Sequence, residues 1–200
     1  MFCIGLTGTI GSGKSTAAGF FKDLGIFIVN ADAISKDLSR MGAPAYFPIV
    51  GLFGEEALQV DGELNRKFIR ERIFQDPNLR QALEGLLHPM IRKGILTAIE
   101  KSKSAYTIIE IPLLTDKSHY PYLDRVLLVQ MDKALQIQRV ITRDKISPSQ
   151  ALDILNFQAN AETLQRLADD RIINDGSLEA LQLQVKKLHI QYLILSKKIN

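Results

Sequence analysis

Two hundred residues, 46% hydrophobic and 24% charged, fit one domain or one domain with an insert, and can bury a sizeable core. A net charge of +3 suits anionic ligands but is too small to point to nucleic acid, and a single cysteine rules out an intramolecular disulfide framework. With no run of about eighteen apolar residues and no basic-then-apolar leader, the expectation is a cytoplasmic protein without membrane contacts.

Residues 2–7 are apolar and β-prone and read as a buried strand, in which Cys3 serves packing rather than redox chemistry. Gly8-Thr9-Ile10-Gly11-Ser12-Gly13-Lys14-Ser15 follows, a full match to G-x-x-x-x-G-K-[ST]. Residues 15–24 then place apolar side chains at helical spacing and stop at Gly25. Strand, glycine-rich turn and helix make a phosphate-binding loop. Its glycines let backbone N–H groups turn inward around an anion, at a helix N-terminus where unpaired donors and the dipole already favour negative charge. Lys14 is placed to reach the β- and γ-phosphates, and the Ser15 hydroxyl to ligate Mg²⁺. The expected ligand is therefore ATP or a similar triphosphate, held by Gly8, Gly11, Ser12, Gly13, Lys14, Ser15 and Thr16.

Residues 26–29 form a continuous apolar run, expected as a second strand buried on both faces. It ends at Asn30-Ala31-Asp32, before a helix over 33–38. Ligands of a parallel sheet sit beyond the carboxyl ends of the strands, so Asp32 arrives at the edge that holds the phosphate loop. Its position suits a helix N-cap as well as a catalytic carboxylate. Residues 40–103 break the strand–helix rhythm and read as all-helical. A helix runs from Pro44 to about residue 53, Asn65 caps another through residue 74, and Asp76-Pro77 starts a third, which His88-Pro89 interrupts. Most of the arginines there are solvated surface, with Arg72 a candidate for holding an anionic acceptor.

Residues 106–111 are the third strand, ended by Pro112-Leu113-Leu114. Glu110 inside so apolar a strand needs a partner or a nearby metal. The fourth strand covers 125–129. A helix from Lys133 then carries Arg139 and Arg143 on one face, and Ser147-Pro148-Ser149-Gln150 is a capping box opening the next helix. The pair of helices reads either as a basic lid over a triphosphate or as an exposed basic helix end. Residues 171–174 give a short fifth strand. The last helix, 177–199, has a heptad-like seam from Leu178 through Leu181, Val185, Leu188, Tyr192, Leu195 and Ile199, which Leu183, Ile190, Leu193 and Ile194 widen into a face for the sheet.

The pattern predicts a three-layer α/β/α phosphate-loop kinase fold with a five-stranded, mostly parallel sheet. The expected layout is a nucleotide-binding core (1–39, 104–135 and 160–200), a helical acceptor insert (40–103) and a lid (136–159). The guanine-reading and switch motifs of a GTPase are absent, as is a transporter ATPase signature, which leaves a small-molecule kinase. An ATP-gated binding module without transfer chemistry is the non-enzymatic alternative, and a monomer or weak homo-oligomer is expected.

Gly5-Leu6-Thr7-Gly8, Ile10-Gly11-Ser12-Gly13-Lys14-Ser15, Ala31-Asp32, Asp61-Gly62, Leu87-His88-Pro89, Pro112-Leu113-Leu114, Gln138-Arg139, Ala168-Asp169-Asp170 and Ile173-Asn174 resemble dephospho-CoA kinase from residue 2 to the last helix. The resemblance implies ATP-dependent phosphorylation of the ribose 3′-hydroxyl of dephospho-CoA, the last step of coenzyme A synthesis, with Mg²⁺. It implies Asp32 as general base, Lys14 and Arg139 on the phosphates, Arg143 and Asn174 beside the nucleotide, and His88, Pro112 and Leu113 on the acceptor side. Two positions depart from the family pattern. Asn30 stands where Asp is usual, leaving Asp32 the only carboxylate of that pair, and Thr9 stands where Gly is usual, setting a side chain in the turn.

Overall fold

A computed structural model describes residues 1–112, 114–157 and 161–198 of the chain. In order, the elements are β1 (Phe2–Thr7), α1 (Lys14–Asp23), β2 (Phe27–Asn30), α2 (Ala31–Leu38), α3 (Tyr46–Phe53), α4 (Arg66–Gln75), α5 (Pro77–Glu100), β3 (Tyr106–Glu110), β4 (Arg125–Gln130), α6 (Lys133–Asp144), α7 (Pro148–Phe157), α8 (Ala161–Leu167), β5 (Asp170–Ile173) and α9 (Leu178–Ser196). The five strands form one all-parallel sheet in the order β2-β3-β1-β4-β5. The chain divides into two compact units, residues 1–30 with 101–200, and residues 31–100.

In the first unit the sheet is central, and the alternation of strand side chains decides what each face packs. Phe2, Ile4, Leu6, Tyr106, Ile108, Leu127, Val129 and Ile172 point to one face, where α1 and α9 cover them with Phe21, Leu181, Val185 and Tyr192. Tyr192 lies at the middle of this layer, its ring 5.6 Å from Tyr106 and 6.3 Å from Phe21. Cys3, Thr107, Ile109, Val126 and Leu128 on the opposite face are buried too, as parallel sheets require. Two apolar runs are less buried than their composition suggests. The second strand starts at Phe27 rather than Ile26, and it is not buried on both faces: it is a sheet edge, with Phe27 exposed. On α9, Leu181, Val185 and Tyr192 are buried, whereas Leu178, Leu183, Ile190 and Ile194 are exposed, so the face toward the sheet is narrower than expected. Helix α8 has no counterpart in the sequence reading.

The second unit is built on α5, on which α2, α3 and α4 pack around Ala45, Tyr46, Ile49, Leu64, Ile69 and Leu83. Asn65 caps α4 by accepting from the Phe68 N–H, and Asp76 accepts from the N–H groups of Asn78 and Leu79 at the start of α5. Pro89 does not interrupt α5, which runs unbroken for 24 residues. A proline deletes one helix donor and crowds the carbonyl four residues back, here that of Gly85; packed side chains on either side, Leu83 and Ile95, hold the helix through the defect. The unit is not wholly helical either, since Leu58 and Leu64 form an antiparallel bridge around the Asp61-Gly62 turn. Helix α2 belongs to this unit and passes close enough to α5 that a Cβ at Gly94 would sit 2.7 Å from Ile34 Cγ2.

Candidate active site

The turn between β1 and α1 is folded by its glycines. Gly11 and Gly13 have φ of 76° and 91°, a region that costs an L-residue strain. Gly13 is also excluded from change by contact: a Cβ there would collide with the amide nitrogen of Asn174. That amide, buried at the end of β5, donates to the Ser12 carbonyl at 2.8 Å, so the fifth strand holds the loop from beneath. Lys14 is the first residue of α1, and Ser15 and Thr16 follow it on the exposed start of that helix.

Glu110 ends β3, one strand away, and register pairs it with Leu6 of β1 and Asn30 of β2. It is 6% exposed, so its carboxylate needs partners, and it has two. The Ser15 hydroxyl donates to Oε1 at 2.9 Å and the Asn30 amide donates to Oε2 at 2.8 Å. The buried carboxylate thus joins the strand end to the first turn of α1, and Asn30 supplies a donor that an aspartate at that position would lack.

Helix α6 approaches the loop from the other side. Gln136, which the sequence reading passed over, is buried, and its amide nitrogen donates both to the Thr9 hydroxyl at 2.7 Å and to the Ile10 carbonyl. Thr9 therefore fits the turn with its side chain engaged. One turn on, Val140 fills the space over Gly11, whose Cβ would lie 2.9 Å from Val140 Cγ2. Arg139 reaches the same loop, its Nη1 3.9 Å from where a Cβ on Gly13 would stand. Arg143 points elsewhere in this structure. It grips Asp144 through Nε and Nη2 at 2.7 and 2.8 Å, which lifts its pKa and pulls the Asp144 carboxyl below the usual range. The capping box at the start of α7 is reciprocal: Ser147 Oγ accepts from the Gln150 N–H and the Ser147 N–H donates to Gln150 Oε1.

The carboxyl end of the sheet also contains buried oxygens without a hydrogen bond among the described residues: Thr7 Oγ1, Ser12 Oγ and Gln130 Oε1. Such groups are uncommon in folded proteins and mark capacity for a ligand or water. Pro112 is half-buried just past β3 in the same unit, while Leu113 lies outside the described residues. The other expected site residues belong to the second unit. Asp32 is exposed in the first turn of α2; the helix starts at Ala31, one residue before it, so Asp32 is not the N-cap. Arg72 is exposed in the last turn of α4, and His88 is exposed on α5.

A parallel sheet of this order, with the glycine loop and its lysine between the first strand and helix and a serine hydroxyl bonded to a strand-end carboxylate, defines a phosphate-loop kinase of the α/β class. The dephospho-CoA kinase (CoaE) family profile matches residues 2–180. A dephospho-CoA kinase of Legionella pneumophila strain Philadelphia 1 is 47% identical over 193 residues, covering 96% of both chains. Among solved structures, TT1252 from Thermus thermophilus superposes with a TM-score of 0.82 at 29% identity, over 95% of this chain and 97% of that one. Dephospho-CoA kinase from Campylobacter jejuni does so with a TM-score of 0.69 at 28% identity, over 99% and 98%. The chain belongs to the dephospho-CoA kinase family and is a kinase.

Proposed function

We propose that the chain transfers the γ-phosphoryl group of ATP to the ribose 3′-hydroxyl of dephospho-CoA, giving coenzyme A and ADP in the cytoplasm. The observation that carries this reading is the intact phosphate loop fastened to Glu110 in a chain matched along its length by one kinase family. The backbone N–H groups of Gly11 and Gly13 are the loop donors offered to the phosphates, that of Ser12 being engaged by the Thr9 carbonyl, and Lys14 neutralises charge on the β- and γ-groups. Arg139, beside Gly13, adds positive charge where it grows during transfer, and Arg143 joins it if its pair with Asp144 opens. Asp32 orients the acceptor hydroxyl and takes its proton. Arg72, His88, Pro112 and Leu113 belong to the acceptor side, residues 40–103 to the acceptor insert, and residues 136–159 to a lid.

The residues fit Mg²⁺. A hard cation of this size takes oxygen ligands and is commonly held by one or two side chains with the substrate's phosphates, not by an all-protein cage. Ser15 Oγ and the Glu110 carboxylate are such a pair, and among the described residues no group of three or more His, Cys, Asp or Glu side chains stands together. Ser15 would be the direct ligand, with Glu110 accepting from the ion's waters. When bound, the ion neutralises phosphate charge and fixes phosphate orientation. The test is a coupled ADP-release assay with ATP across acceptors. Turnover with dephospho-CoA and a mass shift of one phosphate on its ribose are expected. Preference for another nucleotide-like alcohol would change the acceptor, and ATP binding with no ADP release would leave only a binding module.

A further inference from the structure

We propose that Gln136 is a positioning residue that sets Arg139 against the phosphate loop, using Thr9 as its anchor. The inference rests on the reading that Arg139 meets the transferring phosphate. Gln136, Arg139, Val140 and Arg143 stand at helical spacings of three and four, so they share one face of α6. That face follows the loop residue by residue: Gln136 on Thr9 and Ile10, Val140 over Gly11, Arg139 beside Gly13. Of the three contacts only the first is directional. A methyl group against a glycine tolerates sliding and rotation. A primary amide whose two N–H donors end on two different acceptors fixes both the height and the rotation of the helix.

Burial makes the arrangement exacting. Gln136 is 5% exposed, so its donors have little water to fall back on. Thr9 provides one of the two acceptors from its side chain, which a glycine at that position could not do. Asp132 reinforces the same end of α6: it caps Ala134 and Leu135, while its own N–H donates to Asp175 just past β5. Arg139 is exposed, and among the described residues no hydrogen bond holds its head to the protein, so its placement depends on how the helix beneath it is seated.

The decisive experiment is a double-mutant cycle on the full chain, with kcat and the KM for ATP measured by ADP release. Gln136→Glu is nearly isosteric, but its carboxylate has no donor for the Ile10 carbonyl and can only accept from the Thr9 hydroxyl, so the two-point hold is broken at one point and repelled there. It should lower kcat by about tenfold or more with Arg139 present, yet by less than about twofold in an Arg139→Ala background. Thr9→Val, which removes one acceptor at constant shape, should lower kcat about threefold, and Thr9→Ser should recover most of that loss. A melting curve for each variant separates this from general loosening, which lowers Tm by the same amount in both backgrounds and leaves the kcat of the folded enzyme alone. An equal fall in kcat in both backgrounds overturns the proposal. So does an unchanged kcat in Thr9→Val, which keeps the proposal testable if Gln136→Glu does not fold. If Arg139→Ala alone retains the wild-type rate, the assignment of Arg139 to the phosphate fails first, and the positioning role fails with it.

Discussion

At the amino end of the sheet the polar groups are matched to one another. Arg125 meets both oxygens of Asp170, Tyr192 donates to the same carboxylate, Asp169 accepts from the Val126 N–H, and the Cys3 backbone exchanges two hydrogen bonds with Asp124. Burial, with the Asp124 charge, pushes the Cys3 thiol up to about 11, which keeps it protonated and inert. At the carboxyl end, Glu110 and Asn174 are also held, but Thr7, Ser12 and Gln130 retain buried oxygens with no hydrogen bond among the described residues, beside the glycine-rich loop. The same five strands thus carry one end closed by the chain itself and one whose hydrogen-bonding capacity is left for a ligand. Mutations at the two ends should therefore separate activity from stability.

The sharpest separation is expected at Lys14. Lys14→Ala should reduce phosphoryl transfer by at least ~10²-fold, the effect of losing one well-placed charge donor, and shift Tm by no more than about 2 °C because Lys14 opens α1 outside the core. Substantial residual turnover would mean that the open end binds its ligand some other way. Asp32→Asn should follow closely, with a rate at least ~10²-fold lower and ATP still bound. Its stability change should stay within about 1 kcal/mol, the value of a carboxylate in a first helical turn. Near-normal kcat in that variant would transfer the search for a general base to Glu110.

The closed end should respond in the opposite sense. Asp170→Asn keeps the shape but removes the charge that holds Arg125 and Tyr192, both partly or fully buried. A destabilisation of about 2 kcal/mol, or a Tm lower by roughly 4–8 °C, is expected with kcat at 25 °C unchanged. A fall in kcat without a fall in Tm would break the contrast between the ends.

How much of this was legible in the sequence follows from the distance over which each interaction acts. The phosphate loop, the caps at Asn65 and Ser147 and the five strands are local patterns, and all are present in the structure. Edge position is not local: Phe27 to Asn30 reads as a central strand until pairing puts it at the rim. Pro89 reads as a break because local rules count the lost donor and not the packing on either side. Gln136 lies 127 residues from Thr9, and Asn174 162 residues from Ser12, so no spacing rule connects them. The resemblance to a family brought Asn174 to notice, whereas Gln136 became visible only with α6 in place. Asp169 and Asp170 show the converse, since a motif shared with an enzyme family here tends the end of the sheet away from the loop.

The smallest effect, and the finest test of the closed end, concerns His189 on α9. Its Nδ1 lies 2.8 Å from the Tyr106 hydroxyl, at the first residue of β3. Burial holds the Tyr106 pKa well above the ordinary value, so the phenol keeps its proton and can donate to a neutral imidazole. Burial also lowers the His189 pKa from its ordinary 6.5, because the charged ring is poorly solvated there. The unfolded chain then binds more protons than the folded one between the depressed native value and 6.5, and stability rises with pH through that interval. Above 6.5 the group has no effect; below the native value its whole penalty is present. Protonation also reverses the bond geometry, since a protonated Nδ1 can only donate and the Tyr106 hydroxyl must turn to accept. Thermal melts of wild type and His189→Asn between pH 5 and 8 should run parallel above pH 6.5 and diverge below it, the wild type losing more. The rate of phosphoryl transfer, which belongs to the other end, should not distinguish the two proteins at any pH in that range. Parallel curves down to pH 5 would remove His189 from the closed network and leave α9 held there by Tyr192 and Asp170.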